Sequence, residues 1–141
     1  MEAATWMVAL VAVYNYGGLL YDAVLPRTAR MHLYNPAWPP HAKFHNAQTM
    51  LLGLALGTLA LVLLFAVRPL TLPVLFVAAT VAGVYFVAMI FAPVFPGTAW
   101  IDPEFAGYVP KRFGLNPQQL VTYVLCTVLV LAVAIACVWG A

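Results

Sequence analysis

The chain has 141 residues, of which 65% are hydrophobic and 7% are charged, and its mean hydropathy is +0.97. A soluble domain carries roughly 25% charged residues, so this composition excludes a soluble globular protein and indicates an integral membrane protein. The formal net charge of +2 is small and scattered along the chain, which argues against nucleic-acid binding. At this length the apolar segments leave room for a single domain.

Four apolar stretches are long enough to cross a hydrocarbon core of about 30 Å, which takes roughly 20 helical residues. They cover Ala3–Leu25, His41–Val67, Thr71–Phe95 and Pro117–Trp139. The short turn Arg68–Leu70 makes the second and third spans antiparallel neighbours. The sequence therefore predicts an all-α bundle of four transmembrane helices that forms one domain, residues 1–141. The connection 96–116 is too aromatic for a disordered linker, and we predict that it folds over one end of the bundle as a lid.

The basic residues predict how the spans are oriented. The long connections and the helix start beside them carry Arg27, Arg30, Lys43, Lys111 and Arg112. The short turn carries only Arg68. By the positive-inside rule, both long loops are expected in the cytoplasm and both termini on the other side of the membrane.

The first span carries a polar face. Asn15, Gly18 and Asp22 fall within about 60° of one another on a helical wheel, so this face is predicted to look into the bundle. An unpaired Asp in hydrocarbon costs about 2.5–3.5 kcal/mol, and Asp22 therefore needs a partner or water. The amide of Asn15 lies near mid-membrane and must form its hydrogen bonds inside the bundle.

The second span begins in a polar segment, Trp38–Thr49, whose prolines suit the first turn of a helix. His41, His45 and Gln48 then fall within about a 60° arc of one helix face. We predict that this face is the floor of a site inside the bundle. His45 would act as a general acid–base, oriented by Asp22, with His41 as the third catalytic residue. The alternative is that Asp22 and His45 form a buried pair that only fastens the first two spans.

Other polar side chains near the same end are predicted to bind the substrate. They are Asn15, Asn46, Gln48, Tyr85, Gln119 and Tyr123. The tyrosines also suit an aromatic core that needs no function. The fourth span opens with Asn116-Pro117-Gln118-Gln119, a pattern close to a capping box.

The glycines Gly53 and Gly57 form a small-xxx-small pattern that allows close approach of another helix. They lie about 120° around the second span from His41, on the face shared with Asn46. We therefore expect one face of this span to pack while the other lines a cavity, and Gly53 and Gly57 are a candidate contact for homo-oligomers.

No cofactor is predicted for the site. The alternative is a metal bound by His41 and His45, with Asp22 or Glu104 as a third ligand. His32 lies in the basic first loop, and we interpret it as an interfacial residue without a special role.

The segment Trp38–Gln48, with its W-P-P-H-x-x-F-H pattern, resembles a signature of small uncharacterised four-span membrane proteins of bacteria and fungi. That resemblance covers most of the chain and brings no established activity. The four short spans with acids and aromatics are also loosely similar to the emopamil-binding and sigma-2-receptor-like proteins, which bind or isomerise sterol-like molecules. This second similarity is one of architecture, so no residue roles are carried over.

These observations predict a multi-pass membrane enzyme that acts by acid–base chemistry on a lipophilic small molecule. The substrate would be a terpenoid, sterol-like or polyketide compound that enters from the lipid bilayer, and the reaction an isomerisation, cyclisation or hydration. The alternative function is a non-catalytic lipid- or sterol-binding protein or a structural membrane subunit. In either case the expected partners are the small molecule and membrane lipids, with no nucleic acid.

Overall fold

The structure, a computed structural model, describes residues 1–139; the last two residues of the predicted domain, Gly140 and Ala141, lie outside this range. Four helices in it are long and apolar enough to cross a membrane. They are α1 (Glu2–Val24), α2 (Pro40–Phe65), α3 (Leu72–Val94) and α4 (Pro117–Trp139). The four helices pack together and residues 1–139 contain no strand, which confirms the predicted all-α membrane bundle.

The helices form a ring in chain order, in which α4 returns to pack against α1. In addition, α1 contacts α3 across the centre of the ring. The core is built mainly from small side chains, and its fully buried members include Ala4, Val8, Val11, Ala12, Ala60, Leu64, Leu75, Ala78, Ala82, Ala132 and Ala136. Because so many of them are alanine, the helix backbones approach closely and protein atoms fill the space between α1 and α3.

The first helix is regular only in its first half. It is α-helical over Glu2–Tyr14, turns at Asn15 and Tyr16, and ends in a π-helix, Leu20–Val24. Asn and Gly are poor helix formers, and Gly17 and Gly18 follow directly after the turn. A π-helical turn contains an additional residue, so it rotates the side chains that follow it relative to an ideal α-helix.

The two glycines of α2 pack against α1 of the same chain. A Cβ atom added at Gly53 would lie 2.7 Å from the carbonyl oxygen of Asn15, and one added at Gly57 would lie 2.5 Å from that of Ala12. The predicted packing face of the second span is therefore confirmed. The same contacts occupy, within the chain, the glycine face that the sequence offered as a homo-oligomer contact.

The two long loops meet at the end of the bundle opposite the short turn. The first contains a short helix, Pro26–Ala29, and the second contains a 3₁₀ turn, Pro103–Phe105. The Asn35 side chain, which is 3% exposed, donates a hydrogen bond of 3.0 Å from its Nδ2 to Oε1 of Glu104. This bond joins the first loop to the second.

Candidate functional site

Asp22 lies in the π-helical turn of α1, at the end of the bundle that carries the long loops. Its Oδ2 accepts a hydrogen bond of 2.9 Å from Nδ2 of Asn46 on α2. Its Oδ1 lies 3.4 Å from Nδ1 of His32 in the first loop. The Asp22 side chain is 19% exposed, so the carboxylate is largely removed from solvent. The carboxylate thus has one hydrogen-bond donor, Asn46, and an imidazole close to its second oxygen.

Thr28 fixes the tautomer of the His32 imidazole. Its backbone carbonyl lies 2.9 Å from Nδ1 of His32. A carbonyl oxygen only accepts, so Nδ1 must carry a proton, and in the neutral imidazole the lone pair is then on Nε2. The Thr28 hydroxyl in turn donates to the backbone carbonyl of Tyr21 in the π-helical turn. These bonds tie the imidazole to the turn that presents Asp22.

The predicted pairing of Asp22 with His45 is wrong. Asp22 is paired with Asn46 and His32, whereas His45 is paired with two residues of its own helix. Nδ1 of His45 lies 3.1 Å from Oε1 of Gln48, and its Nε2 lies 3.1 Å from Nε2 of His41.

The face of α2 formed by His41, His45 and Gln48 points away from the bundle. All three side chains are exposed, while Asn46 and the glycines of the same helix face α1. The prediction that the histidine face lines the interior is therefore wrong, although the predicted closeness of the two imidazoles is confirmed.

Asn15 is buried at the centre of the bundle, with 1% of its surface exposed. Its Nδ2 donates to the carbonyl of Val11 at 3.1 Å and to that of Ala82 on α3 at 2.9 Å. The prediction that this amide bonds inside the bundle is confirmed. Among residues 1–139 its Oδ1 has no hydrogen-bond partner. Asn15 thus joins α1 to α3 through a buried hydrogen bond.

The remaining predicted binding residues lie on two different helices, Tyr85 on α3 and both Gln119 and Tyr123 on α4. Tyr85 of α3 is half-buried near α1, where a Cβ added at Gly18 would lie 3.5 Å from its hydroxyl. Tyr123 is 38% exposed, and its ring stands edge-on to Trp100. Gln119 bonds reciprocally with Asn116, accepting from its backbone N–H at 3.1 Å and donating its own to the Asn116 side chain at 2.8 Å. This confirms the predicted capping box.

Two open clefts lie at the loop end. One, of about 360 Å³, lies between the two long loops. Its lining residues are Ala37, Trp38, Asp102, Pro103 and Glu104. The Trp38 indole stands edge-on to the imidazole of His32, with ring centroids 5.8 Å apart. The second, of about 110 Å³, lies between the end of α3 and the start of α4. The first cleft is thus one aromatic ring away from the Asp22–His32 pair.

No group of three or more His, Cys, Asp or Glu side chains in the described part of the chain is placed to hold a metal ion. The expected third ligands are engaged elsewhere. Asp22 pairs with Asn46 and His32, and Glu104 accepts from Asn35.

Four packed apolar helices with polar loops at one end define a multi-pass membrane bundle. Within that class, the chain belongs to DUF6640, a family of unknown function whose profile matches residues 7–136. No curated protein and no solved structure matches the chain significantly.

Sequence reasoning missed the role of the first loop. It treated His32 as an interfacial residue and did not consider Thr28 or Asn35. A signal was present in Asp22, because a buried carboxylate requires a donor, and the first loop lies nearest to it in the chain. Hydrophobic periodicity does not predict the path of a loop. It therefore could not show that His32, rather than His45, lies next to Asp22.

Proposed function

We propose that the protein is a membrane enzyme that moves a proton on a lipophilic small molecule, with Asp22 and His32 as its acid–base pair. The observation that carries the proposal is the pair itself: a largely buried carboxylate 3.4 Å from Nδ1 of an imidazole whose tautomer is fixed by a backbone carbonyl. His32 here takes the role that the sequence suggested for His45.

The chemistry follows from the positions of the protons. In the neutral imidazole, Nε2 of His32 carries the lone pair and can accept a proton from a substrate carbon. The Asp22 carboxylate then stabilises the imidazolium that forms, and Asn46 keeps the carboxylate in place through its bond to Oδ2. Return of the proton to a second carbon completes an isomerisation, with no other reactant.

The location supports a substrate that partitions into the bilayer. The pair lies at the end of α1, and the open cleft beside Trp38 has a volume of about 360 Å³, within the range of about 300–1,000 Å³ usual for small-molecule pockets. The architecture is also loosely similar to the emopamil-binding and sigma-2-receptor-like proteins, which bind or isomerise sterol-like molecules. Hydration or cyclisation would use the same proton transfers.

A second candidate function is a non-catalytic lipid-binding or structural role. It is favoured by the tight contact of Gly53 and Gly57 with α1 and by the way the Asp22 cluster ties the first loop to α1 and α2. In this case Asp22, His32 and Asn46 hold elements together and exchange no proton with a ligand.

Deuterium incorporation distinguishes the two functions even while the substrate is unidentified. Purified protein in detergent is incubated in D₂O with the total lipid extract of the membranes that contain it, and mass spectrometry detects lipids that gain deuterium on carbon. We expect the wild type to label a lipid and His32→Gln to reduce the rate by at least about 100-fold. Asp22→Asn should also slow it, whereas Arg30→Gln, an exposed change in the same loop, should not.

Folding of the variants is checked by circular dichroism and by thermal unfolding. Well-folded His32→Gln and Asp22→Asn proteins that have lost labelling support catalysis. If the wild type labels no lipid, or if His32→Gln labels as fast as wild type, the enzyme proposal is refuted. If both variants fail to fold, the structural role is favoured instead.

A further inference from the structure

A second polar cluster lies outside the Asp22–His32 site, on the outer face of α2. We propose that His41 and His45 together bind a divalent transition-metal ion with a preference for imidazole nitrogen, such as Zn²⁺ or Cu²⁺. The site shares no residue with the proposed acid–base pair, so each proposal can fail without the other.

The two imidazoles lie close enough to share one ion. Their Nε2 atoms lie 3.1 Å apart and their ring planes are 77° from parallel. A metal about 2.0–2.1 Å from each nitrogen would subtend an N–metal–N angle of about 95–100°. That angle lies between the octahedral and tetrahedral values, so the spacing of the two nitrogens suits a shared metal ion.

Gln48 orients the imidazole of His45 for metal binding. Its Oε1 lies 3.1 Å from Nδ1 of His45. An amide oxygen only accepts, so with this amide orientation Nδ1 carries the proton and the lone pair is on Nε2, the atom that faces His41. Metal-binding histidines usually have such a partner on the other ring nitrogen, where it fixes the tautomer and the ring orientation.

The cluster lies where a metal ion can reach it from water. The 26 residues of α2 extend over about 39 Å, longer than the hydrocarbon core of about 30 Å. The excess belongs at the start of the helix, because His41, Lys43 and His45 are there and the other end is apolar. Both imidazoles therefore lie in the headgroup region, and the remaining coordination positions face solvent.

The small number of ligands and the positive charge nearby both lower the affinity for a metal ion. Only two protein ligands are present, and the positive end of the helix dipole together with Lys43 disfavours a cation at this position. We therefore expect binding much weaker than that of a structural zinc site with four protein ligands. Without metal, the two nitrogens can share one proton in a neutral hydrogen bond.

The test uses Cu²⁺ as the probe on full-length protein from which any affinity tag has been removed. Electron paramagnetic resonance of the protein in detergent should show couplings to two imidazole nitrogens, and Zn²⁺ should compete for the site. His41→Ala and His45→Ala should each lose one coupling and weaken Cu²⁺ binding by at least about tenfold. His32→Gln, which removes the third histidine, should leave the spectrum unchanged.

A matched pair of glutamine variants tests the orienting role of Gln48. Gln48→Ala should weaken Cu²⁺ binding by about tenfold, whereas Gln118→Ala, an exposed glutamine at the start of α4, should not. The proposal is overturned if the double variant His41→Ala, His45→Ala binds Cu²⁺ as tightly as wild type. It is also overturned if the wild-type spectrum shows a single nitrogen.

Discussion

Asn15 shows what one polar residue contributes to a bundle of small apolar side chains. Its amide nitrogen connects α1 to the Ala82 carbonyl of α3 across the bundle. We predict that Asn15→Ala lowers the free energy of unfolding by about 1–2 kcal/mol. An interhelical hydrogen bond in a membrane contributes about 0.6–1.7 kcal/mol, and the truncation also leaves a small cavity. Denaturation of the detergent-solubilised protein with dodecyl sulfate measures this change.

Thr80→Val serves as the control for that measurement. Thr80 is exposed and donates to Phe76 of its own helix, so its replacement should change stability by less than about 0.5 kcal/mol. Equal effects of the two substitutions would show that the Asn15 bond to α3 does not stabilise the bundle.

The contrast between Asn15 and Asp22 shows how far single residues could be predicted. The burial of Asn15 followed from its mid-span position, because a lipid-facing amide would be left without partners. The partner of Asp22 did not follow, since it depends on the π-helical turn Leu20–Val24 and on the path of the first loop. Neither the π-helical turn nor the path of the loop can be predicted from hydropathy or from helical spacing.

At the scale of the helix, the glycines of α2 determine how closely α1 can approach. We predict that Gly57→Ala destabilises the protein by about 1–2 kcal/mol. The new Cβ would lie 2.5 Å from a backbone carbonyl oxygen of α1, and overpacking typically costs about 1–3 kcal/mol. The higher helix propensity of alanine offsets part of this cost. The same dodecyl sulfate titration measures the effect.

Gly17→Ala should have the opposite sign. A Cβ at Gly17 would meet only the Tyr21 ring at 3.7 Å, an ordinary contact, so the gain in helix propensity of about 0.5–1 kcal/mol should remain. If both glycine variants stabilised the protein, helix propensity rather than the contact between α1 and α2 would control the result; if Gly17→Ala destabilised it, the contact at Gly17 would be tighter than the structure indicates.

The helical wheel of α2 was right about angles and wrong about direction. It grouped His41 with His45 and separated both from Gly53 and Gly57, and the structure has both features. The prediction that the histidine face points inward was wrong, because the wheel gives the angle between two faces and not which of them faces the bundle. The glycines held that information, since small residues mark the face that packs, and a polar face at the end of a long helix can be satisfied by headgroups and water instead.

At the scale of the whole molecule, the two long loops are joined through Asn35 and Glu104. We predict that Glu104→Ala speeds trypsin cleavage after Lys111 and Arg112 by about tenfold, the factor that corresponds to a lost hydrogen bond of about 1.4 kcal/mol. Both basic side chains are exposed, so trypsin can recognise them without unfolding. The rate is then limited by how often the backbone of the loop opens to enter the protease.

Glu104→Gln retains an acceptor oxygen for Asn35, so its cleavage should stay close to wild type. Cleavage of the alanine variant at the wild-type rate would mean that other contacts hold the second loop in place.

The spans around these loops were predictable because about 20 apolar residues have few alternatives in a bilayer. The contact between the loops was not, because a single bond between residues 69 positions apart has no periodic signature.

The orientation of the bundle depends on its six basic residues, five of which lie at one end. Arg27, Arg30 and Lys43 lie at the loop end with Lys111 and Arg112, whereas the opposite end carries Arg68. The positive-inside rule therefore predicts cytoplasmic long loops. Single cysteines test this after the native pair is replaced by Cys126→Ala and Cys137→Ser. Gly107→Cys reports on the second loop, where a side chain meets no atom within 4 Å, and Ala66→Cys reports on the exposed short turn.

A membrane-impermeant maleimide applied to sealed membrane vesicles whose non-cytoplasmic face points outward should label Ala66→Cys at once and Gly107→Cys only after the vesicles are opened. Labelling of both variants in detergent controls for reactivity. Labelling of Gly107→Cys alone before opening would contradict this orientation and place the cleft beside Trp38 on the non-cytoplasmic side of the membrane. The orientation also determines from which side of the membrane metal ions reach His41 and His45, because both histidines lie at the same end as the long loops.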